Sequence, residues 1–133
     1  MADASYPNDL LYHPEHDWAR IDPDVAPPEA TLGITWYAQD QLGEIVFCEP
    51  PALGTTVTRG EPYAEVESVK AVSDVIAPLS GEIVSANESL ADEPEKLNDD
   101  PYGEGWLVRI RLTDPSEREE LLDAGAYAAG LGG

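Results

Sequence analysis

The residues whose types and spacing could do chemistry lie around Lys70, in the stretch EVESVKAVSD at residues 65–74. Lysine is rare in this chain, since only Lys70 and Lys96 accompany five arginines. Such a lysine can be an ordinary surface charge, a catalytic amine or a point of covalent attachment. A catalytic amine must lose its proton near neutral pH, which requires burial or neighbouring cations. The acidic neighbours Glu67 and Asp74 favour the protonated form instead, so catalysis by Lys70 is disfavoured.

The elements that must position Lys70 are short strands between closely spaced turns. Runs rich in valine and isoleucine, such as EIVFCE, YAEVES, VSDVIA and GEIVSA, alternate with turns rich in proline and glycine. This pattern is typical of an all-β sandwich or barrel. A turn and a strand precede Lys70, and a strand and a turn follow it. Lys70 is therefore predicted at the exposed tip of a hairpin, which leaves surface charge and covalent attachment open.

Two helices are predicted at the edges of this β structure. The first covers TWYAQDQL (35–42) and ends at Gly43, which suits a left-handed C-cap. The second begins with Asp114 as its N-cap, carries the leucines at 121–122 inward and stops near Gly125. The tail GAYAAGLGG is expected to pack loosely or fray.

The charge balance excludes two classes of partner. The chain has 27 acidic and 7 basic residues and a formal net charge of -20, which repels nucleic acids and anionic membranes. Either the acids bind cations, or the whole surface is adapted to a salty cytoplasm. The acids are spread along the chain without a long block, which favours the second explanation.

The other chemically active residue types do not indicate a catalytic or metal site. Cys48 is the single cysteine, so no internal disulfide forms, and its apolar surroundings predict a small buried side chain. His13 and His16 are the only histidines, and no metal site is expected. Neither a secretory signal nor an apolar run long enough to span a membrane is present, so a cytoplasmic protein is expected.

The stretch ESVKA at a hairpin tip resembles lipoyl-bearing domains, and the chain as a whole resembles the H-protein family of the glycine cleavage system. Biotin carriers place their lysine between two methionines, whereas Val69 and Ala71 flank Lys70. The likeness to H proteins covers nearly everything from Tyr12 onward: YHPEHDW (12–18), LGITWYAQDQLGEIVF (32–47), GTTVTRGEPYAEVESVKAVSDVIAPLSGEIVSAN (54–87), PYGEGWLVRIRL (101–112) and LLDAGAY (121–127).

The resemblance implies a mainly β, barrel-sandwich hybrid fold with short edge helices, in which residues 1–11 are an N-terminal extension and 12–133 the lipoyl-bearing domain. It implies (R)-lipoate in amide linkage to Lys70, with Glu67 recognised by the lipoate-attaching enzyme. The protein would be a monomeric, non-catalytic carrier. It would take the aminomethyl group of glycine from the P protein (glycine dehydrogenase) to the T protein (aminomethyltransferase). The L protein (dihydrolipoyl dehydrogenase) would then reoxidise its dithiol.

The resemblance also implies a cleft in which Glu15, Asp17 and Asp74 hold the ammonium of the loaded arm. Among 27 acids, any three are more often solvated surface charge, so that alternative stays open. Tyr37 stands where many family members have a histidine, and its role is left open. The three tryptophans are interpreted as packing in the core and the cleft wall: Trp18, Trp36 and Trp106.

Three rival functions remain. An H-like protein could donate its lipoyl group to other complexes or serve another redox system, although the intact YHPEHDW and Asp74 favour protection of an amine. An enzyme is disfavoured, because the sequence shows no nucleophile–base pair, phosphate-binding glycine loop or metal cluster. A generic acidic binding module requires an unmodified Lys70.

Overall fold

The computed structural model describes residues 6–22, 24–25 and 27–132. Within these residues, nine strands form two antiparallel sheets, accompanied by four helices and one 3-10 helix. The mainly β fold expected from the turn spacing is confirmed. The described helices are all too short to cross a membrane. The strands are β1 (Leu11–His13), β2 (Asp17–Asp22), β3 (Glu29–Ile34), β4 (Ile45–Cys48), β5 (Thr56–Val57), β6 (Pro62–Ser68), β7 (Val72–Ile76), β8 (Gly81–Ala86) and β9 (Val108–Leu112).

Strands of both sheets position the candidate site. The larger sheet has six strands in the order β1-β2-β3-β9-β8-β5, and the smaller has three in the order β4-β6-β7. The apolar side chains between them form the main core, which includes Leu32, Val66 and Ile110, each fully buried. Cys48 is buried in this core as predicted, and burial raises the pKa of its thiol to about 12.

A second apolar cluster lies behind the β1–β2 turn. It contains Leu10, Tyr12, Trp18 and Tyr127, and the rings of Tyr12 and Tyr127 stack with centroids 4.9 Å apart. Gly33 is essential to this packing, because a Cβ added there would lie 2.6 Å from the Trp18 ring. The cluster holds the turn at residues 13–17 against the rest of the fold.

The hairpin predicted around Lys70 is confirmed. β6 and β7 pair antiparallel, with Glu65 opposite Asp74 and Glu67 opposite Val72, and residues 69–71 form the tip. At the other end of the hairpin, Gly60 has a φ of 87° and donates its N–H to the carbonyl of Ala77. A positive φ is readily adopted by glycine, which explains the glycine at this turn.

The first predicted helix is also confirmed. α1 spans Trp36–Leu42, and the Thr35 hydroxyl caps it by accepting a hydrogen bond from the Ala38 N–H. Gly43 ends the helix with φ 79° and ψ -152°, a glycine conformation that differs from the left-handed helical one expected. Two helices that were not predicted follow β8: α2 (Ser89–Asp92) and α3 (Lys96–Asp99).

The predicted N-cap at Asp114 is confirmed, but the predicted extent of the C-terminal helix through residues 121–122 was wrong. A 3-10 helix spans Pro115–Glu120 after the Asp114 cap, and the segment then turns extended, so that Leu122 exchanges two backbone hydrogen bonds with Tyr12. This strand-like pairing gives hydrogen-bond partners to the backbone N–H and C=O of Tyr12 at the edge of β1. The 3-10 helix ends before the two leucines. The tail forms α4 (Ala124–Gly132) and is anchored by the buried side chain of Tyr127.

Candidate functional site

Hydrogen bonds fix the backbone of the exposed hairpin tip that carries Lys70. The Ser68 hydroxyl accepts hydrogen bonds from the N–H groups of Lys70 (3.3 Å) and Ala71 (3.1 Å). The Val69 N–H donates to the carbonyl of Glu44 at 3.0 Å, which ties the tip to the segment before β4. Ser68 itself is buried, so the lysine projects from a fixed turn rather than from a loose loop.

The side chain of Lys70 runs towards the end of α1. A Cβ placed on Gly43 would lie 3.7 Å from the Lys70 Cε, which is ordinary van der Waals contact. Because α1 forms one wall of the neighbouring cleft, an extension of this side chain starts next to the cleft mouth.

Exposed apolar side chains surround the tip. Glu67, the acid predicted to be recognised during lipoylation, lies in β6 between Phe47 of β4 and Val72 of β7 in one cross-strand row. Phe47 and Val72 are 47 % and 58 % exposed, and Val69 beside the lysine is 66 % exposed. An approaching protein therefore meets the Glu67 carboxylate with apolar side chains on both sides of it.

A cleft of about 200 Å³ lies between α1 and the β6–β7 hairpin. The β1–β2 turn closes one end of it with Glu15, His16 and Asp17. The remaining lining comes from β3, α1, β6 and β7: Ile34, Tyr37, Ala38, Gln41, Leu42, Val66, Ser73, Asp74 and Val75. The structure thus brings together the three acids that sequence analysis singled out for a cleft.

Asp17 is the buried member of the three. Its Cα pairs with His13 in β1 and with Ile34 in β3, so that it lies inside the larger sheet. Its side chain is 1 % exposed, and its Oδ2 has no hydrogen-bond partner among the described residues. Burial, and to a smaller extent the charge of Glu15, raise the pKa of Asp17 well above its usual range. Burial therefore favours the neutral form of this carboxyl group.

The other two acids are exposed and lie at the rim of the cleft. Asp74 pairs with Glu65 across the hairpin, and both side chains reach solvent. Glu15 projects from the β1–β2 turn, where its N–H donates to the His13 Nδ1 at 3.0 Å. Fully solvated carboxylates hold a cation weakly, so depth in the cleft distinguishes Asp17 from both.

A hydrogen-bonded network fixes the turn that carries Asp17. His16 has a φ of 75°, and its Nδ1 lies 2.7 Å from the Tyr127 hydroxyl. The same hydroxyl lies 2.8 Å from the Thr35 Oγ1, which also caps α1. Burial lowers the pKa of His16, so the ring is neutral near neutral pH. The network joins α1, α4 and the β1–β2 turn around the closed end of the cleft.

The aromatic residues differ partly from expectation. Trp18 is buried in the second apolar cluster as predicted, but Trp36 is 38 % exposed at the start of α1 and does not line the cleft. Trp106 packs against the second cluster, also away from the cleft. The aromatic side chain in the cleft wall is Tyr37, whose ring lies 4.6 Å from that of His16. Trp36 starts a surface helix, which leaves one side of its ring in water.

Sequence analysis missed several residues of the site. Ser73 and Gln41 line the cleft, yet neither is part of a recognisable chemical motif. Tyr63 in β6 has a buried hydroxyl without a hydrogen-bond partner among the described residues, although it does not line the cleft. Strand alternation could have placed Ser73 on the inner side of the hairpin with Val75, but it could not have shown its depth. Alternation places Tyr63 on the outer side with Glu65 and Glu67, and the register shift between Pro62 and Ala64 interrupts that alternation.

A β fold of two packed sheets with a lysine at the tip of a rigid hairpin defines the class of lipoyl-domain-like barrel-sandwich proteins. The family model of the glycine cleavage H-protein matches residues 10–132. The chain belongs to this family.

Individual relatives agree with the assignment. The glycine cleavage system H protein of Rubrobacter xylanophilus is 52% identical over 128 residues, which cover 96% of each chain. That of Halorhodospira halophila is 54% identical over 121 residues, which cover 91% of each. The crystal structure of a glycine cleavage system H protein from Mycobacterium marinum superposes with a TM-score of 0.85 at 44% identity, covering 95% of this chain and 98% of that one.

Proposed function

We propose that this chain is a lipoyl carrier of the glycine cleavage system, with (R)-lipoate in amide linkage to Lys70. It receives the aminomethyl group of glycine from the decarboxylating P protein and presents it to the aminomethyltransferase. Dihydrolipoyl dehydrogenase then restores the disulfide of the arm. The chain itself contributes attachment, orientation and shelter rather than catalysis.

The observation that carries this proposal is the position of Lys70 relative to the cleft. The lysine is exposed at a braced tip, and its Cε lies against Gly43 at the end of the helix that walls the cleft. An arm attached there can reach outward to an enzyme or fold back over α1. The unpartnered carboxyl oxygen of Asp17 at the closed end is a polar group suited to the cationic end of such an arm.

The aminomethyl group carried on the arm requires a cleft, because it is unstable in water. Lipoate, when bound, supplies a sulfur that takes the aminomethyl group, and this link is lost as formaldehyde in water. A cleft bounded by Asp17 at its end and by Glu15 and Asp74 at its rim can hold the ammonium away from bulk water. We assign the main contact to Asp17 and weaker, steering contacts to the rim acids.

The surface around the tip suits the enzyme that attaches lipoate. That enzyme must reach the Lys70 Nζ itself, so it must cover the residues around the lysine. Glu67 between Phe47 and Val72 offers it a carboxylate flanked by exposed apolar side chains. Enzymes that act on the distal end of the arm work farther from this surface.

Peptide mass mapping of protein from its native host tests the attachment. One lipoyl group is expected on Lys70 and none on Lys96, whose ammonium pairs with Glu93 at 2.9 Å. Lys70→Arg should abolish glycine decarboxylation in the reconstituted system, and Lys96→Arg provides the matched control with full activity. A native protein without modification at Lys70 would overturn the carrier function. Lipoylated protein that supports another complex but not glycine cleavage would favour the relay alternative.

A further inference from the structure

A hollow of about 330 Å³ on the outer face of the larger sheet shares no lining residue with the cleft. Leu32 and Ile110 point into the core, so the residues next to them in β3 and β9 face outward. Four lining residues form one cross-strand row: Arg20, Thr31, Arg109 and Ser85. Gly103 and Trp106 complete the lining.

The lining of this hollow is opposite in charge to the chain as a whole. The chain has 27 acids, yet the described residues that line the hollow include two arginines, two hydroxyl groups and an indole, and no carboxylate. Asp22 and Glu29, which face each other across β2 and β3, both pair with the Arg109 guanidinium. These two acids fix Arg109 in place, and neither of them lines the hollow.

Arg20 is the cation that a ligand can reach. Its Nη2 donates to the Tyr102 carbonyl at 3.1 Å, and its guanidinium carbon lies 5.2 Å from the centroid of the Trp18 ring. Arg20 forms no ion pair with a described residue, whereas three of the other four arginines each pair with an acid. The side chain is exposed. A carbonyl and an aromatic ring therefore orient this guanidinium, and its remaining N–H donors keep their planar fork.

We propose that the hollow is a binding site for an organic monocarboxylate, whose carboxylate binds the guanidinium of Arg20 and the hydroxyl of Thr31 while its apolar body lies on Trp106. The Thr31 Oγ1 accepts a hydrogen bond from the Arg109 Nη1 at 3.3 Å, so its own hydrogen remains for donation to a ligand. Charge-assisted bonds from an arginine fork match the two oxygens of a carboxylate. Apolar surface with a few convergent polar groups is typical of a site for a small organic molecule.

The charge balance around the hollow favours a monoanion over a dianion. Arg20 and Arg109 carry two positive charges, and Asp22 and Glu29 beside them carry two negative charges. A phosphate dianion would meet more repulsion from these two acids than a carboxylate does. The site is separate from Lys70 and its cleft, so it goes beyond the proposed carrier function.

Titration of the full chain with sodium benzoate tests the site, followed by the NMR signals of the Trp106 indole N–H and the Arg20 Nε–H. Benzamide is the matched ligand, since it has nearly the same shape without the charge, and sodium chloride keeps the ionic strength equal. We expect saturable shifts with benzoate, at millimolar concentrations because the pair is solvated, and none with benzamide. A net charge of -20 repels anions in general, so a preference for benzoate requires a local cause.

Two arginine variants locate the binding. Arg20→Gln should weaken benzoate binding about tenfold by removing charged hydrogen-bond donors. Arg111→Gln is the matched control, because it removes the same charge from the same face of the sheet, where Arg111 pairs with Glu82 outside the hollow. Arg111→Gln should weaken binding much less.

A free acid and the C-terminus of a polypeptide offer the same carboxylate, and N-acetylphenylalanine distinguishes these sources. Tighter binding of N-acetylphenylalanine than of benzoate indicates a polypeptide end, and tighter binding of benzoate indicates a free acid. Three results would overturn the inference: no saturable shift with benzoate, equal shifts with benzamide, or equal weakening by Arg20→Gln and Arg111→Gln.

Discussion

Replacing Asp74 by asparagine distinguishes a rim contact from an ordinary surface charge, because the hairpin provides a matched control. Asp74 in β7 and Glu65 in β6 are directly opposite each other, and both side chains are exposed. Only Asp74 of the two lines the cleft. We expect Asp74→Asn to shorten the lifetime of the aminomethyl-loaded protein, and Glu65→Gln to leave it unchanged.

The size of the effect follows from exposure. A solvated ion pair contributes about 0–1 kcal/mol, which corresponds to at most about a fivefold increase in the rate of formaldehyde release. A partly desolvated pair about 4 Å apart has a Coulomb energy of about 4 kcal/mol at an effective dielectric of 20, before its desolvation cost is subtracted. Asp17 is desolvated by burial and Asp74 is exposed, so Asp17→Asn should accelerate release more than Asp74→Asn.

The assay measures formaldehyde released from loaded protein in the absence of the aminomethyltransferase. Reoxidation of the empty dithiol by dihydrolipoyl dehydrogenase should be nearly unchanged, because an empty arm carries no ammonium. Release from Asp74→Asn equal to that from wild type would show that Asp74 is only surface charge. A larger effect for Asp74→Asn than for Asp17→Asn would refute the assignment of the main contact to the buried acid.

Three further predictions concern stability. The net charge of -20 should make thermal midpoints rise steeply from dilute buffer, where the Debye length is about 30 Å at 0.01 M, to molar potassium chloride; a flat melting temperature would count against adaptation to salt. Gly33→Ala places a Cβ 2.6 Å from the Trp18 ring and should lower the free energy of unfolding in urea by about 1–3 kcal/mol; an unchanged value would mean that the ring can move aside. Tyr127→Phe removes the hydroxyl contacts to His16 and Thr35 and should lower the same free energy by about 1–3 kcal/mol, whereas no loss would show that stacking alone anchors α4.

The sequence predicted correctly those elements whose structure is determined by residues within the element itself. The hairpin around Lys70 follows from alternating side chains between two turns, and the bounds of β6 and β7 agree with it. α1 follows from a threonine cap and a terminal glycine seven residues after the first helical position. Local signals of this kind do not depend on what packs against the element.

The prediction for the C-terminal region failed because contacts between residues far apart in the sequence determine its structure. Leu122 pairs with Tyr12, which lies 110 residues earlier in the chain, and this pairing ends the 3-10 helix. Tyr127 then fixes α4 through its ring and its hydroxyl. A tail of alanine and glycine has no strong pattern of its own, so its helix depends on this one anchored side chain.

The chemistry of the cleft was only partly accessible for a similar reason. A family resemblance selected Glu15, Asp17 and Asp74 together, but it could not rank them. Their burial depends on the packing of β2 between β1 and β3 and on the cover provided by α1.

The location of an acid determines how it acts in salt. Carboxylates on the surface interact through water, and at 1 M salt the Debye length is about 3 Å, so their field scarcely reaches a neighbouring group. Asp17 is shielded from mobile ions, because its side chain is only 1 % exposed. A contact between Asp17 and an ammonium should therefore persist in concentrated salt, whereas steering by Glu15 and Asp74 should fade. In a chain with 27 acids, burial distinguishes the acid to which we assign the ammonium contact from the exposed acids, which interact with water and salt.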